Sequence, residues 1–132
     1  MKGKFIFKKD VDREELSWGV TGWISRPSLT GATDITVMEV KLNPGSGHAF
    51  HKHPHQEEVI YVMSGEIEQW LETEKRMLQP GDSIFIDADV VHASFNDGAE
   101  PAILMVVLGP CDGEGGYTVD EMADQAPWSG LR

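Results

Sequence analysis

Four of the five histidines fall within eight residues, at positions 48, 51, 53 and 55, and the fifth is His92. His51 and His53 are separated by one residue. On a strand, side chains at i and i+2 share a face, so both imidazoles can address one point while Lys52 turns away. Glu58 follows beyond a bend at Pro54. Three imidazoles and one carboxylate form a nitrogen and oxygen donor set without sulfur, suited to Fe(II), Mn(II), Ni(II), Co(II), Cu(II) or Zn(II). Four protein ligands on a six-coordinate ion leave two positions open, and an open position separates a catalytic metal from a closed structural one. Two such positions admit a bidentate oxygen substrate, or one substrate atom and dioxygen. The alternative is that His51, His53 and His55 are solvated side chains after the Pro44-Gly45-Ser46-Gly47 loop. Residue types alone leave both readings open.

Positioning these groups requires strands. Asp34 to Leu42 is rich in β-branched residues and stops at Asn43-Pro44-Gly45. Glu58 to Ser64, Ser83 to Ile86, Val90 to Phe95 and Pro101 to Leu108 read as further strands, with Phe5-Ile6-Phe7 and Trp18 to Ser25 ahead of them. Glu66 to Glu72 alternates, with Ile67, Gln69 and Leu71 on one face. Thr73 to Arg76 reads as a charged hairpin turn, Asn96-Asp97-Gly98 as another, and Gln79-Pro80-Gly81-Asp82 as a type II turn. Short strands with a turn about every ten residues predict an all-β sandwich or barrel. In the tail, Thr118-Val-Asp-Glu121 has capping-box spacing, which predicts a short helix over Val119 to Ala123. Pro127 to Arg132 is expected to be an arm, lying on the barrel or on a neighbouring subunit.

The length of 132 residues predicts a single domain over 1–132. Its core spans 34–108 and its tail 109–132. The net charge of −11 argues against nucleic acid or an anionic membrane surface as partner, since both need a basic face. The longest apolar run, Ala102 to Leu108, is too short to span a membrane. The apolar part of the N-terminus is too short for a signal peptide, and Cys111 is alone. Both point to a reducing, cytoplasmic location.

The spacing around the histidines resembles the two motifs of the cupin superfamily. Gly45, five residues, His51-x-His53, four residues, Glu58, six residues and Gly65 match the first at every fixed position. Gly81, His92 and Asn96 match the second, while Asp87 and Asp89 stand where that pattern has proline and glycine. The fifteen residues from Glu66 to Pro80 between the motifs are close to the shortest such proteins show. The resemblance implies a double-stranded β-helix, a jelly-roll barrel, with a divalent metal held by His51, His53, Glu58 and His92. It implies a small-molecule ligand or substrate and a homodimer. The activity expected is that of a metal-dependent dioxygenase on a small oxygenated organic substrate, with Glu58 also a transient base. The alternatives are a metal isomerase, epimerase or decarboxylase on a sugar or organic acid, and a non-enzymatic binding or sensor module.

Other residues carry expectations of their own. The six-residue step to Gly65 selects Glu58 over Glu57 as the inward carboxylate, and period two then turns Ile60 and Val62 inward. His48 is expected to be exposed and His55 to lie on the rim. Asp87 and Asp89 read as turn residues. Met38, Trp70, Phe85 and Met105 are candidates for core or for an apolar pocket, and Trp18, Trp23 and Trp128 for a subunit interface.

Overall fold

A computed structural model describes residues 2–132 of the chain. In chain order the strands are β1 (Asp12–Leu16), β2 (Gly19–Ser25), β3 (Thr36–Leu42), β4 (Ser46–Lys52), β5 (Glu57–Ser64) and β6 (Ile67–Leu71). They continue with β7 (Glu74–Leu78), β8 (Ser83–Ile86), β9 (His92–Asn96), β10 (Ala102–Gly109) and β11 (Asp120–Glu121). Among the described residues there is one short α-helix, α1 (Pro27–Thr30), between β2 and β3, and single 3-10 turns form at Lys8–Asp10 and Trp128–Gly130. All pairing is antiparallel, in two sheets ordered β1-β2-β3-β10-β5-β8 and β11-β4-β9-β6-β7. This is the all-β double-stranded β-helix that the resemblance implied.

The two-residue period builds the interior. Along β10, Ala102, Leu104, Val106 and Leu108 are buried while Ile103, Met105 and Val107 are half-exposed. Their register partners on β3 are Leu42, Val40, Met38 and Thr36, which are buried as well. On β5 the buried set is Glu58, Ile60 and Val62. The periodicity that sends two aliphatic side chains into the core therefore sends a carboxylate with them. Glu57 is exposed, so the step to Gly65 chose correctly.

Both sheet edges formed by β1 and β7 are charged. Asp12-Arg13-Glu14-Glu15 and Glu74-Lys75-Arg76 give their strands no buried residue. Such edges discourage pairing with another chain. They also hid these strands from a hydrophobic-pattern reading. The hairpin turn is Glu72-Thr73, since Leu71 pairs with Glu74, and β7 begins where a longer turn was expected. Phe5-Ile6-Phe7 forms no strand, and Phe5 is 89% exposed. The type II turn stands: Gly81 has φ 95° and the Asp82 amide donates to the Gln79 carbonyl at 2.8 Å.

The tail adopts the arm and not the helix. Asp120 and Glu121 pair with Lys52 and His51 of β4. The Thr118 hydroxyl donates to Asp112, so no capping box forms. Met122, Ala123, Trp128 and Leu131 then cover a second cluster of Phe50, Trp70, Val91 and Ala93. That cover explains why β6 is buried on both faces although its sequence alternates.

Candidate metal centre

His51 sits near the end of β4, His53 just beyond it, and His92 at the start of β9. The register sets His51 directly opposite His92. Glu58 reaches them from β5, in the other sheet. The ligating atoms of His51, His53 and His92 all lie within 4.8 Å of one another. Glu58 Oε1 lies 3.3 Å from His53 Nε2 and 2.9 Å from His92 Nε2. All four side chains are buried.

The backbone fixes which nitrogen faces inward. The Nδ1 of His51 meets the Ala49 carbonyl at 2.7 Å, that of His53 the Thr118 carbonyl at 2.7 Å, and that of His92 the Val90 carbonyl at 3.0 Å. A carbonyl only accepts, so each Nδ1 carries the proton and each neutral ring presents an Nε2 lone pair. This outer-ring pattern is the usual one for metal-binding imidazoles. It leaves a carboxylate oxygen facing nitrogen lone pairs at contact distance. Accordingly, neither Glu58 Oε1 nor His92 Nε2 has a hydrogen-bond partner among the described residues. Buried polar atoms left so are costly. A shared cation resolves the conflict, since donors in adjacent positions around an ion with bonds near 2.1 Å stand about 3 Å apart. The residues present therefore fit a divalent metal.

Without a metal, only a proton on Nε2 could relieve the contact: burial pushes the Glu58 carboxyl up, and hydrogen bonds and charge from protonated His53 and His92 rings would bring it well below the usual carboxylate range. Burial lowers His51 far below an ordinary histidine, and its imidazole neighbours add to this. Burial acts on His53 too, but there the contact with Glu58 wins and the ring is raised.

The site opens on a cavity of about 50 Å³. Its walls are largely aliphatic, with Leu42, Ile60, Leu104, Val106 and Leu108 among them, and its polar groups include Thr21, Ser94, His48 and Tyr117. That volume holds a few waters or the metal-binding end of a ligand, and anything larger must extend outward.

His48 departs from expectation. It lines the cavity, half-buried, stacked on His51 with ring centroids 3.6 Å apart and under Trp18 at 5.4 Å. Burial, then the nearby His92 and His53, lower its pKa to about 4, so it is neutral near pH 7. No sequence pattern marks it; the register places it, since His48 on β4 pairs with Ser94 of the strand that carries His92. Tyr117 was also missed, because its loop has no apolar pattern.

The remaining candidates fall elsewhere. His55 is exposed and does not line the cavity. Asp87 and Asp89 are exposed turn residues, and Asp89, at φ 67°, takes Lys52 Nζ at 2.8 Å. Met38 lines the cavity, Trp70 belongs to the second cluster, Phe85 is exposed and Met105 is half-exposed. Trp23 is only 3% exposed and belongs to the core, whereas Trp18 and Trp128 are half-buried against the two clusters of their own chain. Asn96 donates to the carbonyls of Leu42 and Glu100, which holds a turn and not a ligand.

Comparison with known proteins agrees with this architecture. The family model described as Cupin domain matches residues 38–108. The chain is 34% identical to Protein SchB of Streptomyces halstedii over 109 residues, which is 83% of this chain and 79% of that protein. It is 30% identical to the pectin degradation protein KdgF of Dickeya dadantii over 89 residues, covering 67% of this chain and 77% of that one. The solved structure of the polyketide cyclase RemF from Streptomyces resistomycificus superposes with a TM-score of 0.74 at 19% identity, covering 97% of each chain.

Proposed function

Since the chain belongs to the cupin family, we propose that it is a metal-dependent enzyme acting on a small oxygen-rich organic molecule, which it binds through an enolisable carbonyl. The observation that carries this reading is the buried contact of Glu58 Oε1 with Nε2 of His53 and His92, a donor cluster that lacks a cation-free solution. His51, His53 and His92 hold the ion from one sheet, and Glu58 completes the set from the other. A divalent ion there supplies Lewis-acid polarisation of a substrate oxygen. The Glu58 carboxylate, kept ionised by the positive charge of that ion, would accept the proton released on enolisation. The aliphatic walls exclude water and so strengthen each polar contact inside. Pectin and polyketides, named for two of the similar proteins, are both carbon skeletons dense in oxygen. That favours isomerisation, elimination or ring closure at a carbonyl.

The aliphatic lining also favours a second reading, dioxygenase chemistry, because an apolar chamber admits dioxygen readily. Turnover of a diketone, flavonol, catechol and uronate panel separates the two. Product formed under strict anaerobiosis supports the carbonyl reading, and product formed only with oxygen uptake supports the dioxygenase. No turnover with any metal, together with tight ligand binding that survives metal removal, leaves a binding module.

Two wider features belong to the same reading. The outer face of the β5 and β8 strands exposes Val59, Tyr61, Met63 and Phe85, which suits burial in a homodimer. A clean monomer in light scattering would remove that proposal. The lone Cys111 suits a reducing cytoplasm, and no helix among the described residues is long and apolar enough to cross a membrane.

A further inference from the structure

The cavity has two ends, set apart by strand register. At one, Trp18 and His48 stand where Gly19 pairs with Leu42 and His48 pairs with Ser94. At the other, Tyr117 lies against His53 and Trp23, where Leu108 pairs with Thr36 and Glu58. Leu42 and Thr36 are the two ends of β3, about 20 Å apart at strand rise.

Tyr117 rides on a glycine-rich loop with few bonds of its own: the Asp112 amide donates to the Gly116 carbonyl and the Gly116 amide to the Gly113 carbonyl, each at 3.2 Å, and the Thr118 hydroxyl to Asp112 at 2.7 Å. Gly109 to Val119 contains four glycines and none of it is strand beyond Gly109. It is fastened from beneath. Gln56, 1% exposed, donates through Nε2 to the carbonyls of Pro110 at 2.7 Å and Gly116 at 2.9 Å. Its Oε1 accepts from the Thr118 amide at 3.3 Å. The Thr36 hydroxyl adds a bond to Gly116 at 2.7 Å. The Thr118 carbonyl takes the Nδ1 proton of His53. The backbone is thus pinned on both sides of Tyr117. The approach is close enough that, at Gly116, a Cβ would stand 2.6 Å from Thr36 Oγ1, and its φ of 93° already favours glycine.

A buried amide that spends its hydrogen bonds on three backbone groups of one loop fixes that loop over the end of the barrel. Such a fastening makes sense where one side chain must be kept in place. We propose that Tyr117 is the wall that limits how far a ligand extends past the metal on the His53 side, and that Gln56 is the positioning residue that holds it there. The ligand class is a β-dicarbonyl or similar oxygen chelate with a short substituent on that side. The inference rests on the metal reading above.

The test uses the full chain loaded with Co(II), whose visible absorption reports ligand exchange at the ion. The probes are benzoylacetone and dibenzoylmethane, which differ by a phenyl in place of a methyl. The wild type is expected to bind benzoylacetone about tenfold or more tighter, and Tyr117→Ala to bring the two within about twofold. Tyr117→Phe keeps the discrimination, because the ring forms the wall. Gln56→Glu retains the shape but cannot donate to the two carbonyls, and it falls between wild type and Tyr117→Ala. If Tyr117→Ala fails to fold, Tyr117→Leu replaces it with the same expectation; if Gln56→Glu fails, Gln56→Met, which likewise cannot donate, replaces it, and a Gln56 variant that discriminates as the wild type does overturns the positioning role. Equal binding of both probes by the wild type overturns the proposal. So does unchanged discrimination in Tyr117→Ala, or no binding of either probe by any cobalt-loaded protein. Cobalt uptake is measured separately. A wild type that takes up none removes the metal reading and this inference with it. Full uptake with unchanged discrimination removes the inference alone.

Discussion

Glu58 Oε1 and His92 Nε2 lie 2.9 Å apart, buried and on opposite sheets, with no hydrogen bond between them. The Val90 carbonyl occupies the only proton that a neutral His92 carries, so the pair faces lone pair to lone pair. Two sheets folded around one another have brought together atoms that repel unless a positive charge is supplied. A metal ion would supply it, and this contact is the simplest place to test the site.

Glu58→Gln keeps the side-chain shape and removes the charge. It is expected to weaken binding of zinc or cobalt by at least about tenfold, while the fold is retained. His92→Ala is expected to abolish stoichiometric uptake. Metal content after dialysis against a buffered chelator measures both, and wild-type uptake by Glu58→Gln would remove the carboxylate from the ligand set.

Metal binding to the folded chain alone must stabilise it. At a hundredfold excess over Kd the gain is about 2.7 kcal/mol, equivalent to a rise in Tm on the order of 10 °C for a chain of this size. Calorimetry with and without chelator reads the difference. Identical melting in both would mean that the cluster holds no ion.

Acid should act on the metal-free protein through His48. Its folded pKa is lowered from 6.5 to about 4, first by burial and then by His92 and His53, with Glu58 opposing. The unfolded chain therefore binds the proton more readily in that interval. The stability associated with neutral His48 is complete above pH 6.5 and is lost as pH falls toward 4. His48→Phe keeps a ring between Trp18 and His51 and removes the titration. The Tm of this variant is expected to gain on wild type across that window. A difference that stays constant with pH would refute the assignment.

Trp128 tests the arm. Its ring packs on the Phe50 and Trp70 cluster and its Nε1 donates to the Glu72 carbonyl at 3.2 Å. Trp128→Ala is expected to cost about 2 kcal/mol in urea denaturation, below the range for a fully buried tryptophan. Metal uptake is expected to remain at wild-type level, because the cluster lies outside the cavity.

Much of this architecture was legible in the residues themselves. The inward set Glu58, Ile60 and Val62 follows from a two-residue period, and His51 and His53 share a side for the same reason. What escaped were features whose signal is not local. β1 and β7 carry charged residues and are strands only because a neighbour offers its backbone. The capping-box spacing at Thr118 was overridden when Asp120 and Glu121 found β4. Gln56 and Tyr117 belong to segments with no periodicity, and they matter only because a distant loop returns to the end of the barrel.

The amino-acid sequence by itself determined the donor types, the face on which each falls and the all-β class, since these depend on side-chain chemistry and strand period alone. Only the tertiary structure decided that His51 stands opposite His92, that Glu58 meets them across the barrel, and that His48 joins the stack instead of facing water. The reason is physical. Strand period sets direction along one chain segment, whereas the distance between segments is set by register and closure of the two sheets, which no local pattern encodes.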